Sequence, residues 1–320
     1  MPLYAIEQKW LGIGKETTRG TAVVPTRFIP VTPDTELEYK LNLIEDETVR
    51  GIFEKFPPKA GRKEGTGTIS GIEVTSDNIG ELLNSLLGSV TTTDVGTTGQ
   101  AYQHIFKRTN GITMPSYTIT IHRGINAKQY PLSVVKSIAF SQDADNKLKA
   151  NATVLYRTEQ DYSNPPTPTW VDPSPFMFHQ NTFKIDGSQV MTIKNWSLTI
   201  DNGSVGLHLL NNSQDIYDIV SHAKLLVTGS FAALFENETQ RNKFLSNTSA
   251  SLDIISQGAE IETGYNHMIQ FTIPEIHYTA YPFTNVDGIL GANASFNAYY
   301  NLTAGKTIEI KLINTVSGYW

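Results

Sequence analysis

Apolar and polar residues alternate along several segments of the chain. The alternation runs through Leu37–Leu43, Tyr117–Ile121 and Trp196–Ile200, where the residues between the apolar ones are Glu, Lys, Asn, Ser or Thr. A period of two gives a β-strand one face in the core and one in water. Antiparallel sheets have strands of this type, whereas strands of parallel α/β sheets are continuous apolar runs. The pattern therefore predicts antiparallel β-sheet.

Two segments have the helical period instead. The clearer one has Ile or Leu at positions 79, 82, 83, 86 and 87, with Ser76 or Asp77 as the predicted N-cap and Gly88 as the predicted stop. A weaker helix is predicted from Asn237 to Leu245. The sequence thus predicts a mainly β protein with one helix in each half.

Two stretches between the predicted elements are rich in turn-forming residues. Gly88–Gly111 is rich in Thr and Gly and is interpreted as a long surface loop. Ser163–Pro175 contains five prolines, a density typical of a semi-rigid connector, and it lies near the middle of the chain.

The two halves resemble each other. Thr66–Ile69 (TGTI) matches Thr228–Phe231 (TGSF), and at the same spacing the two predicted helices coincide. Further on, Ser116–Ile119 (SYTI) matches Ser251–Ile254 (SLDI), and Leu148–Val154 (LKANATV) matches Leu290–Phe296 (LGANASF). The alternative is chance similarity between β segments of like composition. Three matches in the same order favour a duplicated β domain, with a first unit at 1–160, a linker at 161–175 and a second unit at 176–320.

Composition narrows the class of protein. The 320 residues include 25 Lys and Arg against 31 Asp and Glu, a net charge of −6, and no Cys. The absence of Cys excludes disulfides, Cys-ligated metals and cysteine nucleophiles, and the mild acidic excess argues against a general DNA-binding surface. No apolar run is long enough for a transmembrane helix. Because the N-terminus lacks signal-peptide features, we expect the chain to stay in a cytoplasm-like compartment or in a particle assembled there.

Motifs for catalysis or cofactor binding are weak. Gly12–Thr17 lacks the spacing of a phosphate loop, and Asp143, Asp145 and Asn146 fit a turn better than a calcium loop. The seven His residues form no metal-binding motif, and there is no nucleophile elbow. The sequence therefore predicts no cofactor, no metal site and no enzymatic activity.

One loop in each half carries apolar residues beside polar ones. Phe53–Lys63 lies between two predicted strands, and Ser213–Lys224 is its counterpart in the second half. Each could be an ordinary mobile loop, but exposed apolar residues at equivalent places favour a repeated protein–protein contact. The candidate contact residues are Phe53, Phe56, Lys59, Arg62, Lys63, Ile216, Tyr217 and Ile219.

Residues 12–32 carry a family likeness. They read Gly-Ile-Gly-Lys-Glu-Thr-Thr-Arg-Gly-Thr-Ala-Val-Val-Pro-Thr-Arg-Phe-Ile-Pro-Val-Thr. The segment resembles the N-terminal signature of tail tube (major tail) proteins of long, non-contractile tailed bacteriophages. The resemblance implies two tandem tail-tube-like β-sandwich or barrel units, each with one flanking α-helix. It also implies rings that stack into a hollow tube through which genome DNA is ejected into the host.

The resemblance further implies how copies combine. Where a chain holds one unit, six chains close a ring; two units per chain imply a trimeric, pseudo-hexameric ring, with a hexamer of chains as the less favoured alternative. Implied partners are other copies of this chain, the tape measure protein and the tail terminator and tip proteins. DNA would pass through the lumen without specific binding. The implied location is the virion tail, assembled in the host cytoplasm, with no membrane insertion by this chain.

A DNA conduit should not hold phosphates, so an acidic or neutral polar lining is expected. The wet faces of the alternating strands supply candidates, although Lys40 lies among them. The candidate lumen residues are Glu36, Glu38, Asn42, Ser197, Thr199 and Asp201. The loop Glu45–Glu64, with the candidate contact residues, and the N-terminal arm Met1–Thr32 are assigned to stacking between rings.

Two other functions stay open at this point. One is a different virion structural or carbohydrate-binding β-sandwich module, at a tail tip or baseplate, which would form a discrete oligomer and no tube. The other is an enzyme on a jelly-roll scaffold, which would need a concave pocket with convergent polar groups.

Overall fold

The computed structural model describes residues 5–170 and 174–319. The first half contains β1 (Lys9–Lys15), β2 (Arg27–Ile29), β3 (Glu36–Ile44), β4 (Lys59–Glu73), α1 (Gly80–Leu87), β5 (Gly88–Val95), β6 (Ala101–Arg108), β7 (Tyr117–Arg123), β8 (Ala127–Asp143), β9 (Lys149–Tyr156) and β10 (Gln160–Tyr162). The second half contains β11 (Asn181–Ile185), β12 (Ser188–Gln189), β13 (Ile193–Asp201), β14 (Ser204–Leu207), β15 (Asp218–Ser221), β16 (Leu226–Leu234), α2 (Thr239–Leu245), β17 (Ala250–Glu262), β18 (Tyr265–Ala280), β19 (Phe283–Val286), β20 (Ile289–Ala298) and β21 (Glu309–Asn314). The prediction of a mainly β protein with two helices is confirmed.

Eight strands form one antiparallel sheet that runs through both halves. Their order is β3–β4–β9–β8–β13–β16–β20–β18, and every neighbouring pair is antiparallel. Strand β19 continues β18 after Pro282, whose carbonyl accepts a bond from the Asn293 N–H at 3.0 Å, and it pairs with β20. We call this array the eight-strand sheet.

A second layer covers the apolar face of the eight-strand sheet. In the first half it has the order β2–β1–β7–β8, and in the second half β12–β11–β17–β18–β21–β6–β5. Strands β8 and β18 are long enough to take part in both layers. Aromatic rings join the layers: Phe271 on β18 lies 4.8 Å from Phe140 on β8 and 6.0 Å from Trp196 on β13, between ring centroids. The arrangement is a β-sandwich, as predicted.

The same pairing order occurs twice along the chain. In the first half it is β3–β4–β9–β8–β7–β1, and in the second half β13–β16–β20–β18–β17–β11. The matched sequence segments lie on corresponding strands: Leu37 faces Gly67, and Leu198 faces Gly229. Buried residues of both halves form one contiguous cluster, so the halves share a core.

The helices occupy the predicted places with different starts. Helix α1 begins at Gly80 after Ile79 as N-cap, without the side-chain cap that Ser76 or Asp77 was predicted to give. Gly88 ends it in the left-handed conformation (φ 83°), where glycine has no steric penalty. In α2 the Asn237 side chain accepts a bond from the Thr239 N–H at 3.0 Å. All of α1 is buried.

The prediction of a surface loop over Gly88–Gly111 is wrong. The segment forms the hairpin β5–β6, and β6 pairs with β21 near the other end of the chain. Threonine is β-branched and suits a strand, and alternate residues of β6, among them His104 and Phe106, are buried. In the predicted linker, β10 pairs with β8, while Pro173 lies outside the described residues, as do Met1–Tyr4 of the N-terminal arm.

Candidate assembly surfaces

Two pairs of described strands join the halves, β6 with β21 and β8 with β13, and the second of these lies in the eight-strand sheet. Strands β8 and β13 pair over seven positions, from Asp143 opposite Asn195 to Ser137 opposite Asp201. Two backbone bonds extend the ladder, from the Ala144 N–H to the Lys194 carbonyl at 2.9 Å and from the Asn202 N–H to the Lys136 carbonyl at 3.0 Å. The junction is thus ordinary antiparallel β-pairing between β8 and β13, the first strand of the second half in the eight-strand sheet.

Beyond β13 the chain folds back over the first half. We call residues 202–225, which include β14 and β15, the clasp. Two arginines of the first half hold it. Arg19 binds Asp218 at 2.8 Å, the Met114 carbonyl at 2.6 Å and the Ile219 carbonyl at 2.7 Å.

The second arginine, Arg157, donates to the carbonyls of Ile216 at 3.2 Å and Tyr217 at 2.7 Å. The Lys63 N–H donates to the Gln214 carbonyl at 2.8 Å, and His208 donates to the Lys63 carbonyl at 2.9 Å. The clasp is therefore bound through its backbone at several points.

The clasp also buries apolar side chains. Ile216 and Ile219 pack in a small cluster with Met114, Leu132 and Val134 of the first half. The sequence suggested exposed apolar residues here, yet Ile216 and Ile219 are 3% and 0% exposed. Of the second-half candidate contact residues, Tyr217 alone is exposed. Their contact lies within the chain.

The corresponding loop of the first half, residues 45–58 between β3 and β4, stays on the surface. Phe53 is fully exposed, and Val49 and Ile52 are largely exposed. Phe56 is half-buried under Arg50, whose guanidinium lies 4.2 Å from the ring centroid. The remaining candidate contact residues lie on β4. Lys59 is exposed at the start of the strand, and Arg62 forms an ion pair with Glu64 at 2.6 Å. Lys63 lies over the ring of Tyr39.

The eight-strand sheet has two open edges. Among the described strands β3 pairs only with β4, and its residues Leu41, Leu43 and Ile44 are exposed. At the other end, β18 and β19 pair with β20 along one side, and no described strand pairs with their outer side from Ala280 to Val286. Phe283 there is 46% exposed. An unpaired strand with exposed apolar residues is a template for pairing with another chain.

One face of the eight-strand sheet is polar. Directly opposed residues lie on the same face, and the registers place Ser, Thr and Asn together across the sheet. The residues of this face include Glu36, Glu38, Thr66, Thr68, Thr153, Ser137, Ser141, Ser197, Thr199, Asp201, Thr228, Ser230, Ser295 and Asn297. Five of the six candidate lumen residues are on it. Asn42, half-buried, follows a register shift in β3.

The charged residues of this face include Glu36 and Glu38, which form ion pairs, Asp201, and the exposed Lys149 opposite Ser141. Glu36 binds Lys9 at 2.9 Å and Arg123 at 3.0 Å, and although partial burial opposes them, these hydrogen bonds hold the pKa of Glu36 below its usual value. Glu38 pairs with Lys40 at 2.8 Å. Asp201 accepts a bond from the Gly203 N–H at 2.7 Å, and Ser197 bonds Ser230 at 2.9 Å.

A buried polar group was not predicted from the sequence. On α1, Glu81 forms an ion pair with Arg27, and burial raises the pKa of Glu81 to about 7. Near it, Asn84 donates to the Tyr117 hydroxyl at 2.9 Å and to the Tyr319 carbonyl at 2.6 Å. These bonds attach the C-terminal segment to α1. Nothing in the period of α1 distinguishes Glu81 from a solvent-facing residue.

The described ranges contain no group of three or more His, Cys, Asp or Glu side chains suited to hold a metal ion. No helix among the elements described is long and apolar enough to cross a membrane. The features that stand out are open strand edges and one extended polar face, which define an assembly-forming β protein.

Comparison with protein families identifies the class more closely. A family model described as phage tail tube protein matches residues 9–299. The chain therefore belongs to the phage tail tube protein family, and the family resemblance noted in the sequence is confirmed. No curated protein matched the sequence. Membership implies a structural virion protein of the tail that associates with itself and with other tail proteins, and a role without enzymatic activity.

Proposed function

We propose that the chain is a duplicated tail tube subunit, with units at 1–160 and 176–320, and that three chains close a ring of six similar units. The observation that carries the proposal is the β8–β13 junction, which joins two units by strand pairing. The two open edges of the eight-strand sheet correspond to the two strands of this junction. In the repeated pairing order β3 corresponds to β13, and β18 together with β19 corresponds to β8. A heterologous contact that repeats with a closing rotation makes a ring.

The internal junction supplies the register for the contact between chains. Leu198 faces Phe140 across it. In the repeated pairing, Leu37 corresponds to Leu198. Phe283 corresponds to Phe140, because Phe283 lies opposite Ala292 as Phe140 lies opposite Ala150. Leu37 of one chain would then face Phe283 of the next. Pairing would cover the exposed Phe283 and remove both open edges.

In this ring the polar face of the eight-strand sheet lines the channel. The opposite face holds the core, so the polar face is the one left for water. Most of its residues are neutral Ser, Thr and Asn, and its cations are few, Lys40 and Lys149 among them. Phosphate would therefore bind weakly, and DNA could move along the channel. The candidate lumen residues fit this position.

Rings would stack along the axis into the tube through which DNA is ejected. We assign the contact between rings to the N-terminal segment, residues 1–32, of which β1 and β2 belong to the second layer and are no free arm. The loop of residues 45–58 lies beside the open edge β3 and suits a contact within the ring. The tape measure protein would occupy the lumen before DNA, and terminator and tip proteins would end the tube. Assembly would take place in the host cytoplasm.

Electron microscopy of the purified protein tests the proposal. We expect hollow filaments of uniform width, and rings with three-fold symmetry and six similar units in averaged views. A discrete oligomer that never extends would contradict it and favour a tail-tip or baseplate module. A ring of six chains would contradict the trimeric arrangement alone.

A further inference from the structure

A groove between the end of β6 in the first half and the second half is rich in cations and aromatic side chains. It has a volume of about 570 Å³, and its lining includes Lys107, Arg108, Lys224, Tyr299, Tyr300 and Lys306. Lys107 and Lys306 share one carboxylate, that of Glu309, at 2.9 and 3.0 Å. Tyr299 and Tyr300 are 48% and 59% exposed. We call this site the basic groove.

The basic groove is the second unit's version of the surface that holds the clasp. In the first unit Arg157, just after β9, and Lys63, on β4, bind the clasp backbone. In the repeat, Tyr299 stands in the place of Arg157, just after β20, and Leu225 in that of Lys63, just before β16. Both Tyr299 and Leu225 line the basic groove. A surface that is occupied in one unit is thus open in the other.

The clasp also has a counterpart that binds no other segment among the described residues. The clasp connects β13 to β16, and residues 45–58 connect β3 to β4, the corresponding strands. Phe53 and Phe56 are separated by three positions, as are Ile216 and Ile219, the two side chains that the clasp buries. The loop carries Glu45, Asp46, Glu47 and Glu54 against Arg50 and Lys55. We call it the acidic loop.

We propose that the acidic loop of one copy docks in the basic groove of the next copy in the same ring, as the clasp docks on the first unit within the chain. The proposal rests on the trimeric ring proposed above. Phe53 would pack against the two tyrosines, and the loop carboxylates would face Lys224 and Lys306. The charges of the two surfaces are opposite, which favours this pairing over contact of like surfaces. The loop is then a lateral contact, not a contact between rings.

The lack of cysteine in the chain gives a clean cross-linking test. In the variant Phe53→Cys with Tyr300→Cys, a flexible bismaleimide should link neighbouring chains. A lateral contact in a three-chain ring gives a covalent ladder that stops at the trimer. A ladder that continues beyond three chains would show contact between rings and overturn the proposal.

Two further variants complete the test. Ile52→Cys with Tyr300→Cys keeps Phe53 and should give the same ladder, while Phe53→Cys with Ile125→Cys, an exposed residue of the first half, should give none. Tubes that form normally without cross-linking in either loop variant would overturn the loop contact and leave the ring proposal intact. If the wild-type chain forms no ring or tube, the ring proposal fails, and this one fails with it.

A charge exchange tests the chemistry of the contact. Glu47→Lys with Glu54→Lys, or Lys224→Glu with Lys306→Glu, should slow assembly on the order of tenfold at low salt. All four substitutions in one chain should restore much of the rate, because the two surfaces are again opposite in charge. If the variant with all four substitutions assembles no faster than either double variant, the proposed electrostatic pairing is wrong.

Discussion

At the scale of single residues, Glu81 couples the stability of the fold to pH. Burial raises its pKa from 4.5 to about 7, even though Arg27 opposes the shift. A carboxyl group with a higher pKa in the folded chain than in the unfolded chain binds its proton more tightly when folded. Its contribution to stability is therefore complete below pH 4.5 and is lost as the pH rises toward 7.

Glu81→Gln should make the fall in unfolding free energy between pH 4.5 and pH 7 shallower, because the variant has no proton to lose. Urea unfolding at several pH values measures this slope. Glu47→Gln, which changes an exposed carboxyl group, serves as control and should leave the slope as in the wild type. Equal slopes for Glu81→Gln and the wild type would show that Glu81 does not titrate in this range.

Ile219 tests the packing of the clasp. It is fully buried, and removing a buried branched side chain costs about 2–5 kcal/mol of unfolding free energy, part of it from the cavity left behind. Ile219→Ala should therefore destabilise the chain by an amount in that range. Leu210→Ala, at a fully exposed clasp residue, should change stability by less than about 0.5 kcal/mol. A similar small effect of both substitutions would mean that the clasp is not packed as described.

The sequence predicted Ile216 and Ile219 to be exposed residues of a contact between copies, whereas the structure buries both within the chain. The sequence shows apolar side chains in a polar loop. This pattern is the same whether the side chains pack against another chain or against a distant part of their own chain. The socket of Met114, Leu132 and Val134 comes from two other elements. Arg19 and Arg157, which bind carbonyl oxygens, carry no sequence signal for that role.

At the scale of elements, the local period of apolar residues predicted where strands and helices lie, but the sequence did not predict which strands pair. Alternation predicted the strands β3, β7 and β13 from the different polarity of their two faces. In β7 both faces are buried, Thr118 and Thr120 included, so the expected solvent-facing side is wrong for that strand. The hairpin β5–β6 was missed, because its Thr and Gly content resembles a loop and its partner β21 lies far along the chain. The start of α1 was also misplaced, since Ser76 and Asp77 form other bonds, among them one between the Ser76 hydroxyl and His267 Nδ1 at 2.6 Å.

The register proposed for the ring contact can be tested at two positions. Glu36 and Thr284 would be opposite neighbours on the polar face, as Ser197 and Ser141 are within the chain. In assembled tubes of Glu36→Cys with Thr284→Cys, mild oxidation should give interchain disulfides, because facing residues of paired strands are close enough for this bond.

A shift of one residue provides the control. Successive side chains of a strand point to opposite faces, so Glu36→Cys with Asn285→Cys should form few disulfides under the same conditions. Strong cross-linking in the shifted pair, or none in the Glu36–Thr284 pair when tubes are present, would contradict the proposed register.

At the scale of the whole molecule, the repeat and the family were visible in the sequence, because both depend on short matched segments. The shared core of the two halves and the eight-strand sheet were not, because they depend on the pairing of β8 with β13 across the predicted linker. The polar face was anticipated in part. Glu36, Glu38, Ser197, Thr199 and Asp201 lie on it together, on strands that correspond in the two units.

The character of this face gives the last prediction. Glu38 and Thr199 occupy corresponding places on β3 and β13, so Glu38→Lys with Thr199→Lys would put one new lysine in every unit of the ring. If the polar face lines the channel, these cations bind phosphates and slow DNA ejection, and added salt relieves the delay by screening. The rate of DNA release from virions with the variant tail measures this. Glu38→Gln with Thr199→Gln should release DNA as the wild type does, whereas normal ejection by the lysine variant in intact tails would place this face outside the channel.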